Sequence, residues 1–291
     1  MQNILYMPIN AILFTRLHSK SVLLTLLCMV HAQKFILPKK WRPNRTGTFA
    51  FCLNLYYNSI SNLSMKGTNV KGTAMKPSIT NQSITPLFES KYIKVFDLQY
   101  NQDSHYYNAT RRPIEKLVAT KSDDEFRSML PDAVTCVVIL KIKGDEPRLL
   151  LSQEFRYPTG QFLLSPPAGL LDAEDEDLEN PILSAAAREI KEETGIVLSK
   201  KDTLSIVNPL LFSSPGITDE SNALVCAVIN LEDTSVLSQE GAVGGECFDG
   251  FKLLSVAEAK DILKAGRDTD GIFYSVYTWA ALMYFVSDLW R

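Results

Sequence analysis

The chain has 291 residues, 46% of them hydrophobic and 22% charged, with a formal net charge of −3. That is an ordinary globular composition, long enough for one large domain or two small ones. It lacks the basic excess that marks nucleic-acid binding, and its slight acidity points to neither a membrane nor a polyanion partner.

Residues 1–85 contain no Asp or Glu and read as an N-terminal extension, either disordered or an upstream, signal-like segment. Ser21 to Ala32 has a basic lead-in at Arg16 and Lys20, an apolar core, and small residues (Val30, Ala32) where a signal peptidase would cut. The run is too short for a stable membrane anchor. Secretion is therefore the alternative to a cytoplasmic location. The preferred reading takes the first 64 or 74 residues as an upstream extension, with Met65 or Met75 as the working start. Asn58 to Thr85, rich in Ser, Asn, Thr and Lys, reads as a linker.

From Pro86 the pattern becomes regular. Tyr92 to Leu98 alternates as a strand, with His105 to Arg112 as its antiparallel partner; residues 86–130 are expected to form a small antiparallel β segment. Val134 to Lys141 and Arg148 to Arg156 are apolar strands joined by the turn-like Gly144 to Pro147, which predicts a hairpin. Pro181 to Thr194 is predicted as a helix with Asn180 as N-cap and Pro181 in its first position. Strands follow at Leu204 to Phe212, Ala223 to Ile229 and Phe251 to Leu254. A helix runs from Val256 to Ala265 and stops at Gly266. Ile272 to Trp290 reads as a packed amphipathic helix, because Ser275, Thr278, Ser287 and Asp288 interrupt it.

The chemistry follows from what is scarce. Of three histidines, His18 and His31 lie in the extension and only His105 in the body, so Ser-His-Asp, Cys-His and His-rich zinc sites are improbable. Five scattered cysteines (Cys28, Cys52, Cys136, Cys226, Cys247) contain no C-x-x-C, and Cys136 and Cys226 sit in apolar runs, which favours a reducing compartment. A general base must then be a carboxylate or Lys, which suits metal-assisted hydrolysis.

Carboxylates are gathered in one place. Within Arg188-Glu189-Ile190-Lys191-Glu192-Glu193-Thr194-Gly195-Ile196, Glu189, Glu192 and Glu193 fall at i, i+3 and i+4, so a helix puts them on one face. Like charges at that spacing repel. A divalent cation rewards them, since Mg²⁺ takes oxygen ligands from a few carboxylates and substrate phosphates. A solvated face with ion pairs such as Arg188 to Glu192 is the bland alternative.

The run resembles the right half of the Nudix box, Arg-Glu-aliphatic-x-Glu-Glu-x-Gly-aliphatic. Upstream, Pro167-Ala168-Gly169-Leu170-Leu171-Asp172 resembles the opening of that box in nucleotide-sugar hydrolases. The left half departs from the pattern. The family's Gly, five residues, Glu becomes Gly169 and Asp175, with Glu176 next. Arg188 then lies five positions later than the pattern requires, so Ala173 to Asn180 reads as an acidic insertion. Ser214-Pro215-Gly216-Ile217-Thr218-Asp219-Glu220-Ser221, Gln153-Glu154-Phe155-Arg156-Tyr157-Pro158 and Tyr106-Tyr107-Asn108-Ala109-Thr110-Arg111 are similar to elements of the ADP-ribose pyrophosphatase subgroup.

The resemblance covers residues 86–291 and implies an α+β fold, a Nudix α/β/α sandwich with a mixed sheet, spanning residues 131–291. It implies hydrolysis of a nucleoside diphosphate sugar, with ADP-ribose yielding AMP and ribose 5-phosphate. The rivals are another nucleotide sugar or a nucleoside triphosphate, or a sensor that binds without cleaving. Implied metal ligands for Mg²⁺, with Mn²⁺ as alternative, are Glu189, Glu192, Glu193 and the Ala168 carbonyl. Glu193 and Glu246 are the implied catalytic carboxylates, Glu246 lying in the Gly-rich loop Ser238 to Gly250. Arg111, Arg156 and Glu220 are assigned to the substrate, with Arg112 able to stand in for Arg111; forked guanidinium donors suit phosphate oxygens. Arg188 is assigned to fixing a glutamate rotamer. The resemblance also implies a homodimer formed through the N-terminal strands.

Overall fold

A computed structural model of the chain describes residue 72 and residues 74–172, 175, 178–241 and 245–291. The chain divides into Met1–Ala74 and Met75–Arg291. The signal-like segment Ser21 to Ala32, His18, His31, Cys28, Cys52, Met65 and half of the acidic insertion lie outside the described residues.

The first strands form a small antiparallel sheet: β1 (Ile84–Glu89), β2 (Lys94–Asn101) and β3 (Ser104–Thr110), in the order β1-β2-β3. The β2–β3 hairpin matches the alternation in the sequence. β1 was not anticipated, because Pro86 read as a boundary; it sits instead on an edge strand whose register shifts between Pro86 and Phe88, where a missing N–H is tolerated. Ile84, Phe96, Leu98 and Leu117 close a small core beneath it. A short helix, α1 (Asp123–Ser128), was also missed, although Ser122 and Glu125 form a reciprocal capping box at its start.

The larger sheet contains β4 (Ala133–Ile142), β5 (Arg148–Arg156), β6 (Gln161–Ser165), β7 (Ala168–Leu170), β8 (Thr203–Phe212), β9 (Ser221–Leu231) and β10 (Phe248–Leu254). Its order is β10-β5-β4-β9-β8, with β6 on β5 and β7 on β4. β4 and β9 run parallel over their whole length; every other pair is antiparallel, so the sheet is mixed. Both central strands are buried almost throughout, as expected when both faces of a sheet are covered.

The covers are helices. α2 (Pro181–Thr194) packs Ile182, Ala185, Ala186 and Ile190 against Val134, Cys136, Val138 and Leu140 of β4, Leu150 of β5 and Val225 of β9. On the other face, α3 (Val256–Ala265) and α4 (Val276–Val286) bring Ala259, Ile262, Leu282 and Phe285 against Val137, Ile139, Leu149 and Cys226. Odd and even positions of the strands therefore serve opposite layers, giving the expected α/β/α sandwich. Cys136 and Cys226 are free and buried, as read from their apolar settings.

α2 occupies the residues predicted for it. Asn180 stands at its N-cap, but its side chain makes no capping bond. Gly195 closes the helix with φ 75°, its N–H bonded to the Lys191 carbonyl, a conformation in which a Cβ would be strained. α4 is shorter than the expected Ile272 to Trp290, since Ser275 caps its start through Thr278. Among the described residues no helix is long and apolar enough to cross a membrane.

Candidate active site

Topology gathers the candidate residues at one end of the large sheet. Ala133, the first residue of β4, faces Asn222 of β9 on one side and Leu170 of β7 on the other. β5 runs antiparallel to β4, so Arg156 ends at this same edge, and Phe248 at the start of β10 lies opposite Glu154. The segments before β9 and before β10, carrying Glu220 and Glu246, therefore open at this same end of the sheet.

The three glutamates of α2 are not equivalent. Glu189 and Glu193, four residues apart, are buried at 5% and 4% exposure, whereas Glu192 sits on the shoulder of the helix. Glu193 Oε1 accepts the Ala168 N–H at 3.0 Å. That N–H is turned away from β4, and since the N–H and C=O of an extended residue point to the same side, so is the Ala168 carbonyl. Glu189 lies against Gly169: a Cβ there would stand 2.1 Å from the Glu189 carboxylate. The glycine of the box is therefore required by contact with the glutamate of the box.

Arg188 ties helix and loop together. It donates to Glu189 Oε1 at 2.6 Å, to the Leu170 carbonyl at 2.9 Å and to Asp175 Oδ2 at 3.1 Å, with Glu192 3.6 Å away. Arg188, expected to fix a glutamate rotamer, thus touches two glutamates of its own helix. Asp175, from the acidic insertion, is buried and also accepts the Asp172 N–H at 3.0 Å. It clamps Arg188 and the turn after β7.

Burial dominates the electrostatics. Desolvation pushes Glu193 up to about 9, opposed by the Ala168 N–H and reinforced by Glu154, Glu246 and Glu189. Glu189 is raised mainly by burial, with Arg188 opposing and Glu192 and Glu246 adding to the rise. Glu246 is exposed, and its charge reaches Glu154, Glu189 and Glu193. The loop carrying it is fastened to α2, the Ser238 N–H bonding the Thr194 carbonyl at 3.0 Å.

The structure pairs the remaining candidates. Arg111 Nε meets Glu220 Oε2 at 3.1 Å with both side chains partly exposed. Arg112 does not stand in for Arg111. Its side chain is 13% exposed and locked to Asp132 at 2.6 Å, with Asp219 3.9 Å away. Neighbours on a strand end point to opposite sides, so one arginine faces solvent and the other the core. Arg156 Nη2 contacts Glu154 Oε2 at 2.6 Å. Glu154 is the residue that sequence reasoning passed over, and burial raises its pKa while Arg156 opposes the rise. An acid two residues before an arginine in an apolar strand was the available signal.

The donor set is all hard oxygen, carboxylates and a carbonyl, which fits Mg²⁺ or Mn²⁺ and not zinc. In this conformation each buried glutamate is engaged by a protein donor, and no group of three acidic, His or Cys side chains among the described residues is set to close on an ion.

Residues 129–274 match the NUDIX domain family. The chain belongs to the Nudix family. It is 33% identical over 130 residues to an uncharacterized Nudix hydrolase of Schizosaccharomyces pombe, covering 44% of this chain and 58% of that one. It is 36% identical over 104 residues to an ADP-ribose pyrophosphatase of Saccharomyces cerevisiae, covering 34% of this chain and 40% of the relative. An ADP-sugar pyrophosphatase of Mus musculus is 32% identical over 102 residues, 35% of this chain and 43% of that protein. In each case the match spans less than two thirds of the relative's own length. β1 to β3 and α4 of this Nudix chain fall outside the family match.

Proposed function

We propose that this Nudix chain hydrolyses the diphosphate of a nucleoside diphosphate sugar, with ADP-ribose as the first substrate and AMP and ribose 5-phosphate as products. The observation that carries the reading is the buried Glu189–Glu193 pair pressed against Gly169 and the Ala168 N–H. Packing alone gives no reason to bury two carboxylates there. The relatives named for ADP-ribose and ADP-sugar support the substrate class.

Glu189, Glu192, Glu193 and the Ala168 carbonyl would hold divalent cations. When bound, Mg²⁺ or Mn²⁺ would neutralise charge on the diphosphate and lower the pKa of a water molecule. Arg156 and Arg111 bind the phosphate oxygens or a ribose, and Glu220 steadies Arg111. Water adds to one phosphorus, the P–O–P bond breaks toward the other phosphate, and the water proton passes to Glu246. Glu193 must be ionised to act, which its burial opposes until a cation or a high pH favours the carboxylate. Arg188 holds Glu189 in place throughout.

The small sheet leaves Leu87, Phe88, Tyr92 and Tyr107 exposed, an apolar surface that suits a homodimer. Free Cys136, Cys226 and Cys247 suit a cytoplasmic location.

The test is incubation of the full chain with ADP-ribose and Mg²⁺, following AMP release against ADP-glucose, UDP-glucose and dGTP. Preferential AMP release from ADP-ribose supports the proposal. Binding of ADP-ribose with no turnover of any substrate replaces it with a nucleotide sensor.

A further inference from the structure

Ser152, Glu154 and Arg156 alternate along the face of β5 that sets Leu150 against α2, because side chains two apart on a strand point the same way. Within the pair, Glu154 is the anchored member. Its side chain is 13% exposed against 45% for Arg156, and its backbone lies between Leu163 of β6 and Phe248 of β10. The 2.6 Å contact holds one nitrogen of the guanidinium. Among the described residues no other protein group bonds the rest of that fork, which faces outward at the end of the sheet where β7 meets α2.

An arginine side chain carries much rotamer entropy, most of which a free side chain loses on binding a ligand. Holding the fork beforehand reduces that cost. Stability alone does not explain the arrangement, since an ion pair with one solvent-exposed partner contributes little to folding. We propose that Glu154 is a positioning residue that presents Arg156 to the substrate diphosphate. The proposal rests on the reading of Arg156 as a phosphate ligand.

The experiment combines steady-state kinetics on ADP-ribose and Mg²⁺ with ¹⁵N NMR of the Arg156 Nε–H, for the wild type, Glu154→Ala, Glu154→Gln, Arg156→Ala and the Glu154/Arg156 double alanine variant. Glu154→Ala is expected to raise KM about 10-fold with kcat nearly unchanged, the signature of lost uniform binding. The double variant should be no worse than Arg156→Ala, because Glu154 acts through Arg156. The isosteric Glu154→Gln, which keeps the shape of the strand, should fall between. The Arg156 resonance should move to its solvent-averaged position in Glu154→Ala, a readout that needs no substrate. A fall in kcat at constant KM, multiplying effects in the double variant, or an unmoved resonance would overturn the proposal alone. A normal KM in Arg156→Ala would overturn the phosphate reading of Arg156 and this proposal with it.

Discussion

The Glu193 carboxylate accepts its hydrogen bond from the backbone N–H of Ala168 at 3.0 Å, so helix α2 and strand β7 meet through a side chain that packing would prefer uncharged. Both halves of the Nudix box are joined at that contact. Burial holds the Glu193 pKa at about 9 despite the bond, and the contact therefore has consequences for stability as well as chemistry.

The folded protein binds the Glu193 proton more tightly than the unfolded chain, whose carboxyl titrates near its ordinary value of 4.5. The stability it contributes is fully present below that value and is lost as pH rises through the folded pKa. Without divalent metal, Tm should fall between about pH 5 and about pH 9. Added Mg²⁺ should raise Tm more at the alkaline end, where it competes with fewer protons. Differential scanning calorimetry across pH, with chelator and with Mg²⁺, measures both trends.

Glu193→Gln keeps an acceptor for the Ala168 N–H and removes the charge. Turnover should drop by about two orders of magnitude or more, while the metal-free variant loses the pH slope in Tm. Activity that survived would show that the metal site is misassigned.

The two adjacent arginines should separate cleanly. Arg112→Ala strands Asp132, which also accepts from the N–H and hydroxyl of Ser221, so unfolding free energy should fall by about 3–5 kcal/mol. Arg111→Ala breaks a partly exposed pair and should change stability by less than about 1 kcal/mol, with its effect on KM instead. Urea denaturation and kinetics on the same two samples distinguish them.

Gly169→Ala places a Cβ into the Glu189 carboxylate. Displacing that carboxylate should weaken Mn²⁺ binding, measured by isothermal titration calorimetry, about 10–100-fold. The cost in stability should stay within about 1–3 kcal/mol. Unchanged Mn²⁺ affinity would remove Glu189 from the metal site.

α4 lies beyond the family match yet belongs to the core. Leu282 is fully buried with Val137, Ile139 and Leu149 in the same cluster, and Leu282→Ala should cost about 2–5 kcal/mol. Chemical denaturation of this variant tests whether the C-terminal helix is part of the cooperative unit.

The sequence by itself determined the bounds of α2 and the grouping of Glu189, Glu192 and Glu193 along it, because those rest on local periodicity, on Pro181 and Gly195 as punctuation, and on like charges spaced along one turn; the fold class came through the resemblance to the Nudix box. It also placed β4, β5, β8 and β9 to within a few residues, since runs of apolar and β-branched residues bounded by turn signals need no distant partner to be read. Only the tertiary structure decided the rest. β1, β6 and β7 are short and owe their existence to pairing with β2, β5 and β4, so propensity alone could not announce them. The separation of Arg111 from Arg112, the clamp of Asp175 on Arg188 and the burial of Glu154 beside Arg156 join residues that strand pairing and helix packing bring together. A side chain's neighbour across a sheet determines whether its charge is buried or solvated, and no spacing along the chain encodes that neighbour.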